Sequence, residues 1–136
     1  MLTVMEKVAL LQNVEAFRAV PTQSLARVAA IAQEVDYQER QALYNDNEAA
    51  DTVFILLEGE VVLLRPGREE KRIGPGQVAG LLAFLAADSQ PESAMTTQPV
   101  RALRLDQEDF YEAMAEDFNL TRGLLRALVR WASGTQ

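Results

Sequence analysis

The chain has 136 residues, of which 49% are hydrophobic and 24% charged, a balance typical of one folded globular domain. It contains no cysteine and no histidine, which excludes disulfides, thiol catalysis and thiolate zinc sites and removes the commonest general base and metal ligand. The net charge of −7 argues against nucleic-acid binding, because that binding depends on Lys and Arg neutralising phosphates.

The N-terminal segment is apolar but is interrupted by charges. Glu6 and Lys7 fall within it, which does not fit the basic start and uninterrupted apolar centre of a signal peptide. No apolar run in the chain approaches the roughly 18 residues of a membrane span. We therefore expect a cytoplasmic protein, or a cytoplasmic piece of something larger, with no direct membrane insertion.

Residues 1–35 are predicted to form N-terminal helices. In the second of these, Leu25 and Val28 recur at helical spacing. Thr22, which follows Pro21, is the expected N-cap of that helix, because its hydroxyl can accept a hydrogen bond from a free backbone N–H.

The pattern changes to short β-strands between residues 37 and 105. Runs rich in Val, Ile, Leu and Phe alternate there with turn-forming residues at positions 45–47, 58–59, 66–67 and 74–76. Strands that recur every 8–12 residues or so with such turns predict an antiparallel sandwich or barrel.

Helical spacing returns in residues 106–132. Asp106 is the predicted N-cap of the first part and Asn119 that of the second, so the C-terminal helix is expected to be bent. Residues 1–136 are then a single domain, in which helices precede and follow a compact all-β middle.

This order of elements resembles the cyclic nucleotide-binding domain, the fold of catabolite-activator-type regulators, protein kinase A regulatory subunits and gated channels. The resemblance covers nearly the whole chain. It is carried by the run "DTVFILLEGEVVLL" and by two spaced motifs, Gly76-x-x-x-Gly80 and Pro91-x-x-Ala94. It implies a mainly β fold, an antiparallel β-roll or jelly roll with N-terminal helices and a bent C-terminal helix, and a phosphate-binding cassette at residues 76–95.

In that family the cassette reads roughly Gly-x-x-Phe-Gly-Glu-Leu-Ala-Leu-Leu, followed after a few residues by Pro-Arg-x-Ala-Thr or Ser. Its glycine opens a short helix whose backbone N–H groups face the cyclic phosphate. Its Glu binds the ribose 2′-hydroxyl and its Arg pairs with the phosphate, as suits a helix N-terminus and a guanidinium. By family position, the ligand-binding residues of this chain are Gly76, Gly80, Leu81, Leu82, Ala83, Pro91, Glu92, Ser93 and Ala94.

Two of these positions depart from the family pattern in chemistry. Leu81 stands where the ribose-binding Glu is expected, and Glu92 stands where the phosphate-binding Arg is expected. At ~4 Å and an effective dielectric of ~20, each unit-charge interaction is about 4 kcal/mol before screening. The lost carboxylate removes a charge-assisted hydrogen bond of roughly 1.5–3 kcal/mol. Met95 also replaces the Thr or Ser, with Thr96 one step away. The prediction is that ordinary cAMP or cGMP binding is lost.

The last helix carries two further candidate surfaces. Arginines recur at every fourth position, which indicates a solvated face, or a surface that docks to an acidic partner or to the domain's own acidic loops. An apolar row on the same helix indicates core packing, or else the lid or subunit pairing that the resemblance implies. The arginines are Arg122, Arg126 and Arg130, and the apolar row is Leu124, Leu128 and Trp131.

The expected function is therefore a regulatory module that acts by protein–protein contacts. Its expected partners are other protein domains or subunits, including a second copy in a homodimer through the C-terminal helix, and not nucleic acid. The alternative is a functional small-molecule sensor, for a cyclic nucleotide or another ligand, in a larger regulatory or transport protein. No enzyme, metal or cofactor is expected.

Overall fold

The structure is a computed structural model that describes residues 1–66 and 68–134. The chain divides into two compact units. One consists of residues 1–32 together with the C-terminal segment from Glu108, and the other consists of residues 33–107. The organisation of the whole chain as a single domain stays a prediction.

Helices occupy both ends of the chain and one short segment in its middle. None of the helices in the described residues is both long and apolar enough to cross a membrane. In chain order they are α1 (Val4–Leu11), a 3₁₀ helix (Glu15–Phe17), α2 (Thr22–Ile31), α3 (Leu81–Ala86), α4 (Gln107–Glu116) and α5 (Phe118–Ser133).

Eight strands of the described residues form two four-stranded antiparallel sheets. One sheet has the order β1-β8-β3-β6 and the other the order β2-β7-β4-β5, which confirms the predicted antiparallel β-roll. The predicted turn at 66–67 includes Gly67, which lies outside the described residues. The strands are β1 (Gln33–Tyr37), β2 (Ala42–Tyr44), β3 (Thr52–Glu58), β4 (Val61–Arg65), β5 (Arg68–Ile73), β6 (Val78–Ala79), β7 (Ser93–Thr96) and β8 (Val100–Asp106).

The prediction that residues 1–35 are all helical is wrong at its C-terminal end. α2 ends at Ile31, and Ala32 already has extended backbone angles. β1 begins at Gln33 and pairs with β8 from its first residue. Pairing with β8 gives the backbone N–H and C=O groups of this segment partners outside a helix, and it overrides the local helical spacing.

Two predicted helix caps are also wrong by one or two positions. The N-cap of α2 is Pro21, and Thr22 is the first helical residue. The N-cap of α5 is Asp117, whose carboxylate accepts a hydrogen bond from Leu120 N at 3.2 Å. Asn119 therefore lies inside the first turn. The interruption at Asp117 separates α4 from α5 and confirms the two-part C-terminal helix.

The core of the β unit lies between its two sheets and is built from inward-facing residues of both. Phe54 of β3 is central to it, because its ring packs edge-on against Tyr37 and is stacked with Tyr44 of the other sheet. The ring centroids are 5.9 Å and 6.5 Å apart, distances at which aromatic pairs add stability beyond area burial. The buried cluster comprises Leu43, Tyr44, Phe54, Leu56, Val61, Leu63, Ile73, Ala79, Ala94, Val100 and Ala102.

Candidate functional site

The two cassette glycines both adopt backbone angles that favour glycine. Gly76 has φ +84° in the turn before β6, and its N–H donates to Leu56 O at 2.9 Å. Gly80 has φ +88° and is the N-cap of α3. A Cβ at Gly80 would lie 2.9 Å from Gln90 Nε2 and 3.3 Å from the Tyr44 ring, so a side chain at Gly80 would require Gln90 or Tyr44 to shift.

The side chains of the short helix α3 face in different directions and differ in burial. Leu81 is buried, with 8% of its surface exposed, whereas Leu82 is 61% exposed. Ala83 is half-buried and Phe84 is fully buried. Leu81 thus occupies an enclosed place at the start of the helix, and its side chain offers no polar atom there.

The second half of the cassette leads into β7. Pro91 is exposed, Glu92 and Ser93 are half-buried, and Ala94 is buried between the sheets. Ala94 pairs with Leu63 of β4. The last two residues of this segment, Ser93 and Ala94, therefore lie beside β4 and pair with it.

Glu92 and Ser93 have polar partners on neighbouring segments. The Glu92 carboxylate lies 4.0 Å from Arg65 Nε, and 22% of the Glu92 side chain is exposed. The Ser93 hydroxyl donates to Asp46 Oδ1 at 3.0 Å and accepts from Asp46 N at 3.0 Å. Burial, and then the negative charge of Glu92, raise the pKa of Tyr44 well above its usual range, so Tyr44 stays a neutral phenol.

Gln90 is a buried polar residue beside this segment. It is 2% exposed, and its backbone N and O bond to Glu48 O and Asn47 N, each at 2.8 Å. These two bonds hold the residue beneath the loop of residues 45–51. Its side-chain Nε2 is buried without a hydrogen-bond partner among the described residues. A buried N–H donor of this kind gains free energy when a ligand or water supplies an acceptor.

Thr96 does not replace the missing Thr or Ser at position 95. Thr96 is 1% exposed, while Met95 is half-buried on the opposite face of β7. The Thr96 hydroxyl donates to Gln38 O at 2.6 Å and accepts from Gln41 N at 2.8 Å. It is therefore fully engaged in holding the turn at 38–41.

The candidate residues of α5 differ in burial: the apolar row is buried or half-buried, whereas two of the three arginines are exposed. Leu124 is buried, and Leu128 and Trp131 are half-buried. The Trp131 indole N–H donates to Glu15 Oε1 at 2.7 Å. Packing and this hydrogen bond therefore tie the apolar row to its own helical unit, and the homodimer stays a prediction.

The arginine stripe of α5 also divides. Arg122 and Arg126 are exposed, and the Arg122 guanidinium lies 5.1 Å from the Phe118 ring centroid. Arg130 is half-buried and donates to the backbone oxygen of Glu15 at 3.3 Å. Only Arg122 and Arg126 therefore fit the predicted solvated face, and Arg130 does not.

A family model described as "Cyclic nucleotide-binding domain" matches residues 34–117. The chain belongs to the cyclic nucleotide-binding domain family. It is 27% identical over 119 residues to a CRP-like cAMP-activated global transcriptional regulator of Mycobacterium tuberculosis, covering 84% of this chain and 53% of that protein. The chain thus spans about half the length of the curated relatives it matches.

Solved structures show the same fold. The N-terminal domain of a transcriptional regulator from Streptomyces coelicolor A3(2) matches with a TM-score of 0.82 at 23% identity, over 93% of this chain and 94% of that one. The regulatory domain of Toxoplasma gondii protein kinase A, crystallised with cAMP, matches with a TM-score of 0.81 at 18% identity, over 96% and 50% of the respective chains. At these identities the likeness establishes the fold of this cyclic nucleotide-binding family member.

Sequence reasoning missed the side chains that surround the cassette of this family member. Arg65 and Asp46 pair with Glu92 and Ser93 only because of how the strands and loops meet. Arg65 stands at the end of a Val- and Leu-rich strand, and Asp46 lies in an Asn-Asp-Asn turn, so each was visible as a strand end or turn but not as a cassette neighbour. Gln90 carried no signal, because a lone Gln before a proline reads as a loop residue.

Proposed function

We propose that this chain is a non-enzymatic regulatory module of the cyclic nucleotide-binding family that has lost ordinary affinity for cAMP and cGMP and acts through contacts with other proteins. The observation that carries the proposal is the half-buried Glu92 carboxylate at the position where the family has its phosphate-binding arginine. A cyclic phosphate placed there meets a negative charge, which solvent screens less well at a half-buried site than at the surface.

Arg65 does not restore the missing attraction. Its Nε lies 4.0 Å from Glu92 Oε2, so this cation is matched by a carboxylate and the pair has no net charge. The family pattern supplies a net positive charge at this place instead. A difference of one unit charge, about 4 kcal/mol at ~4 Å before screening, is expected to lower phosphate affinity by about two orders of magnitude or more.

Leu81 removes the second expected ligand contact. Its side chain is apolar and 8% exposed, so a ribose 2′-hydroxyl at this position has no carboxylate acceptor. The hydroxyl then gives up hydrogen bonds to water without an equivalent partner, at a cost of roughly 1–3 kcal/mol. Leu81 and Glu92 both lower the expected affinity for a cyclic nucleotide.

Isothermal titration calorimetry with cAMP and cGMP tests the proposal. We expect no binding at about 1 mM nucleotide, which corresponds to less than ~4 kcal/mol of binding free energy. The double variant Leu81→Glu/Glu92→Arg is expected to gain measurable affinity. The matched control Leu82→Glu/Glu92→Arg adds the same charges with the carboxylate on an exposed neighbour, and should bind more weakly. Micromolar binding by the unmodified chain would overturn the proposal.

One observation favours the alternative, a sensor of a different small molecule. The buried Nε2 of Gln90 has no hydrogen-bond partner in the part of the chain that the structure describes, and it lies beside Gly80 of the cassette. An uncharged ligand with an acceptor oxygen could satisfy this donor without meeting the charge of Glu92. Thermal-shift screening of neutral sugars and nucleosides, with Gln90→Leu as the control, distinguishes the two functions. A stabilising ligand that Gln90→Leu no longer binds would support the sensor.

A further inference from the structure

The loop between β2 and β3 lies along the second half of the cassette. Residues 46–50 of this loop are called the strap. Backbone hydrogen bonds join the strap to residues 88–90: Asn47 N to Gln90 O and Gln90 N to Glu48 O, each at 2.8 Å, and Ala50 N to Asp88 O at 3.0 Å. Because these bonds use no side-chain atom, they fasten the strap to the cassette whatever side chains it carries.

Asp46, the first residue of the strap, contacts Ser93, which is a ligand-binding residue by family position. The Asp46 Oδ1 accepts a hydrogen bond from the Ser93 hydroxyl at 3.0 Å, and the Asp46 backbone N–H donates to the same Ser93 oxygen at 3.0 Å. A serine hydroxyl has a single proton to donate. Because Asp46 accepts that proton, Ser93 has none left for an oxygen atom of a ligand.

The Asp46 carboxylate also places a negative charge where a ligand anion would bind. Asp46 and Ser93 are both half-buried, so water and salt screen this charge less than at the surface. The backbone bonds of the strap hold the carboxylate beside Ser93, so it binds there without the loss of translational freedom that a dissolved ion undergoes. A phosphate from solution must therefore displace a tethered competitor.

The two segments that meet at this contact carry no cation to offset the charge. Residues 45–51 and 88–93 together contain five Asp or Glu and no Lys or Arg. Arg65 of β4 lies nearby, but its Nε is 4.0 Å from the Glu92 carboxylate and is matched by it. The negative charge of Asp46 therefore adds to that of its surroundings.

We infer that the Asp46 carboxylate is a built-in anion that occupies Ser93 and excludes phosphates and other anions from the cassette. This inference rests on the proposed loss of cyclic nucleotide affinity, to which it adds a third cause besides Leu81 and Glu92. A chain in which only those two positions are restored to the family pattern still presents a cyclic phosphate with the competing carboxylate of Asp46.

Isothermal titration calorimetry with cAMP tests the inference on the full chain in the Leu81→Glu/Glu92→Arg background, which removes the two other causes. Adding Asp46→Ala should raise the affinity at least about tenfold, because the Ser93 proton and the place of the carboxylate become available to the phosphate. Asp88→Ala is the matched control. It removes an exposed carboxylate of the cassette that bonds to Ser89 N at 2.8 Å, and it should change the affinity less than about threefold.

Ser93→Ala separates anion exclusion from a purely structural role of Asp46. With Asp46 in place, Ser93→Ala should leave the affinity for cAMP nearly unchanged, because the hydroxyl proton is already taken. In the presence of Asp46→Ala, the same change should lower the affinity about fivefold or more, since the hydroxyl then bonds to the phosphate. Equal effects of Ser93→Ala with and without Asp46 would overturn the inference.

Circular dichroism establishes that each variant is folded. If Asp46→Ala disturbs the strap, Asp46→Asn provides the same comparison, because it removes the charge and keeps the size of the side chain; a smaller gain in affinity is then expected. A gain no larger than that of Asp88→Ala, or no binding at about 1 mM cAMP once Asp46 is replaced, would also contradict the inference. These outcomes leave the proposed function standing, since that is tested by cAMP binding to the unmodified chain.

Discussion

The Trp131 indole N–H donates a hydrogen bond to the Glu15 carboxylate over 2.7 Å, joining residues 116 positions apart. Arg130 adds a second bond from the same helix turn to the backbone oxygen of Glu15 at 3.3 Å. Through these two hydrogen bonds, Glu15 of the 3₁₀ helix holds the last turns of α5 in place. Because Trp131 is the one tryptophan in the sequence, its fluorescence reports this contact without interference.

Glu15→Ala is expected to release the end of α5. The loss should be about 0.5–1 kcal/mol of unfolding free energy, at the lower end for a hydrogen bond because the contact is partly exposed. Tryptophan emission should shift to longer wavelength in the folded state. Glu15→Gln keeps an acceptor oxygen and should resemble the parent protein. If Glu15→Ala leaves emission unchanged, the hydrogen bond does not hold the helix end.

Gly80→Ala and Gly76→Ala form a matched pair with different expected outcomes. Both glycines have positive φ, +88° and +84°, and each alanine loses about 1–2 kcal/mol through that conformation. At Gly80 the new Cβ also lies 2.9 Å from Gln90 Nε2, whereas nothing lies within 4 Å at Gly76. Gly80→Ala should therefore destabilise more in urea unfolding. Equal losses of unfolding free energy in the two variants would show that Gln90 and Tyr44 can accommodate a Cβ at position 80 without cost.

The β-roll could be predicted from the sequence because local signals for it agree with the tertiary structure. Turn residues such as Gly59 and Asn47 do adopt the positive φ that their residue types favour. The runs between them become strands because their β-branched and large apolar side chains fill the space between two sheets. Local pattern and tertiary packing point to the same structure there.

The prediction failed where pairing decides the structure. Residues Gln33 and Glu34 have no strong strand preference, and they form β1 because β8 offers a free edge. The Arg65–Glu92 and Asp46–Ser93 contacts depend on the register of strands that are far apart in the chain. Register follows from turn geometry and burial together, so sequence spacing alone cannot bring these side chains into contact.

Gly123→Ala is expected to destabilise the helical unit although alanine favours helices by about 1 kcal/mol. Its Cβ would lie 2.5 Å from Val20 Cγ2 and 3.0 Å from Ala19 O, so α5 must move away from this backbone. Overpacking of this kind costs about 1–3 kcal/mol, which exceeds the propensity gain. Urea unfolding measures the difference.

Val20→Ala provides the internal control for that variant. Removing the Val20 methyl groups relieves the closest contact but leaves Ala19 O in place, so the double variant should recover part of the loss. A coupling energy of about 0.5 kcal/mol or more between the two changes is expected, since residues in contact are not additive. Additive losses would place the cost of Gly123→Ala elsewhere.

Glu60 makes the stability of the β unit depend on pH in the acid range. Its carboxylate accepts a hydrogen bond from the Thr97 hydroxyl at 2.7 Å and lies 2.7 Å from Arg72 Nη1. The Thr97 bond first, and then Arg72, hold the pKa of Glu60 below its ordinary value of 4.5. A lowered folded-state pKa contributes stability above that ordinary value and loses it as pH falls through the folded-state pKa.

Glu60→Gln should therefore lower the urea midpoint at pH 7 and have a smaller effect at an acid pH below the folded-state pKa, because the parent carboxyl is then protonated and loses its advantage. Thr97→Val should act in the same way, since it removes the main cause of the lowered pKa. Thr97→Ser keeps the hydroxyl and should retain the parent pH dependence. An effect of Glu60→Gln that is equal at both pH values would show that the Glu60 interaction does not depend on its charge.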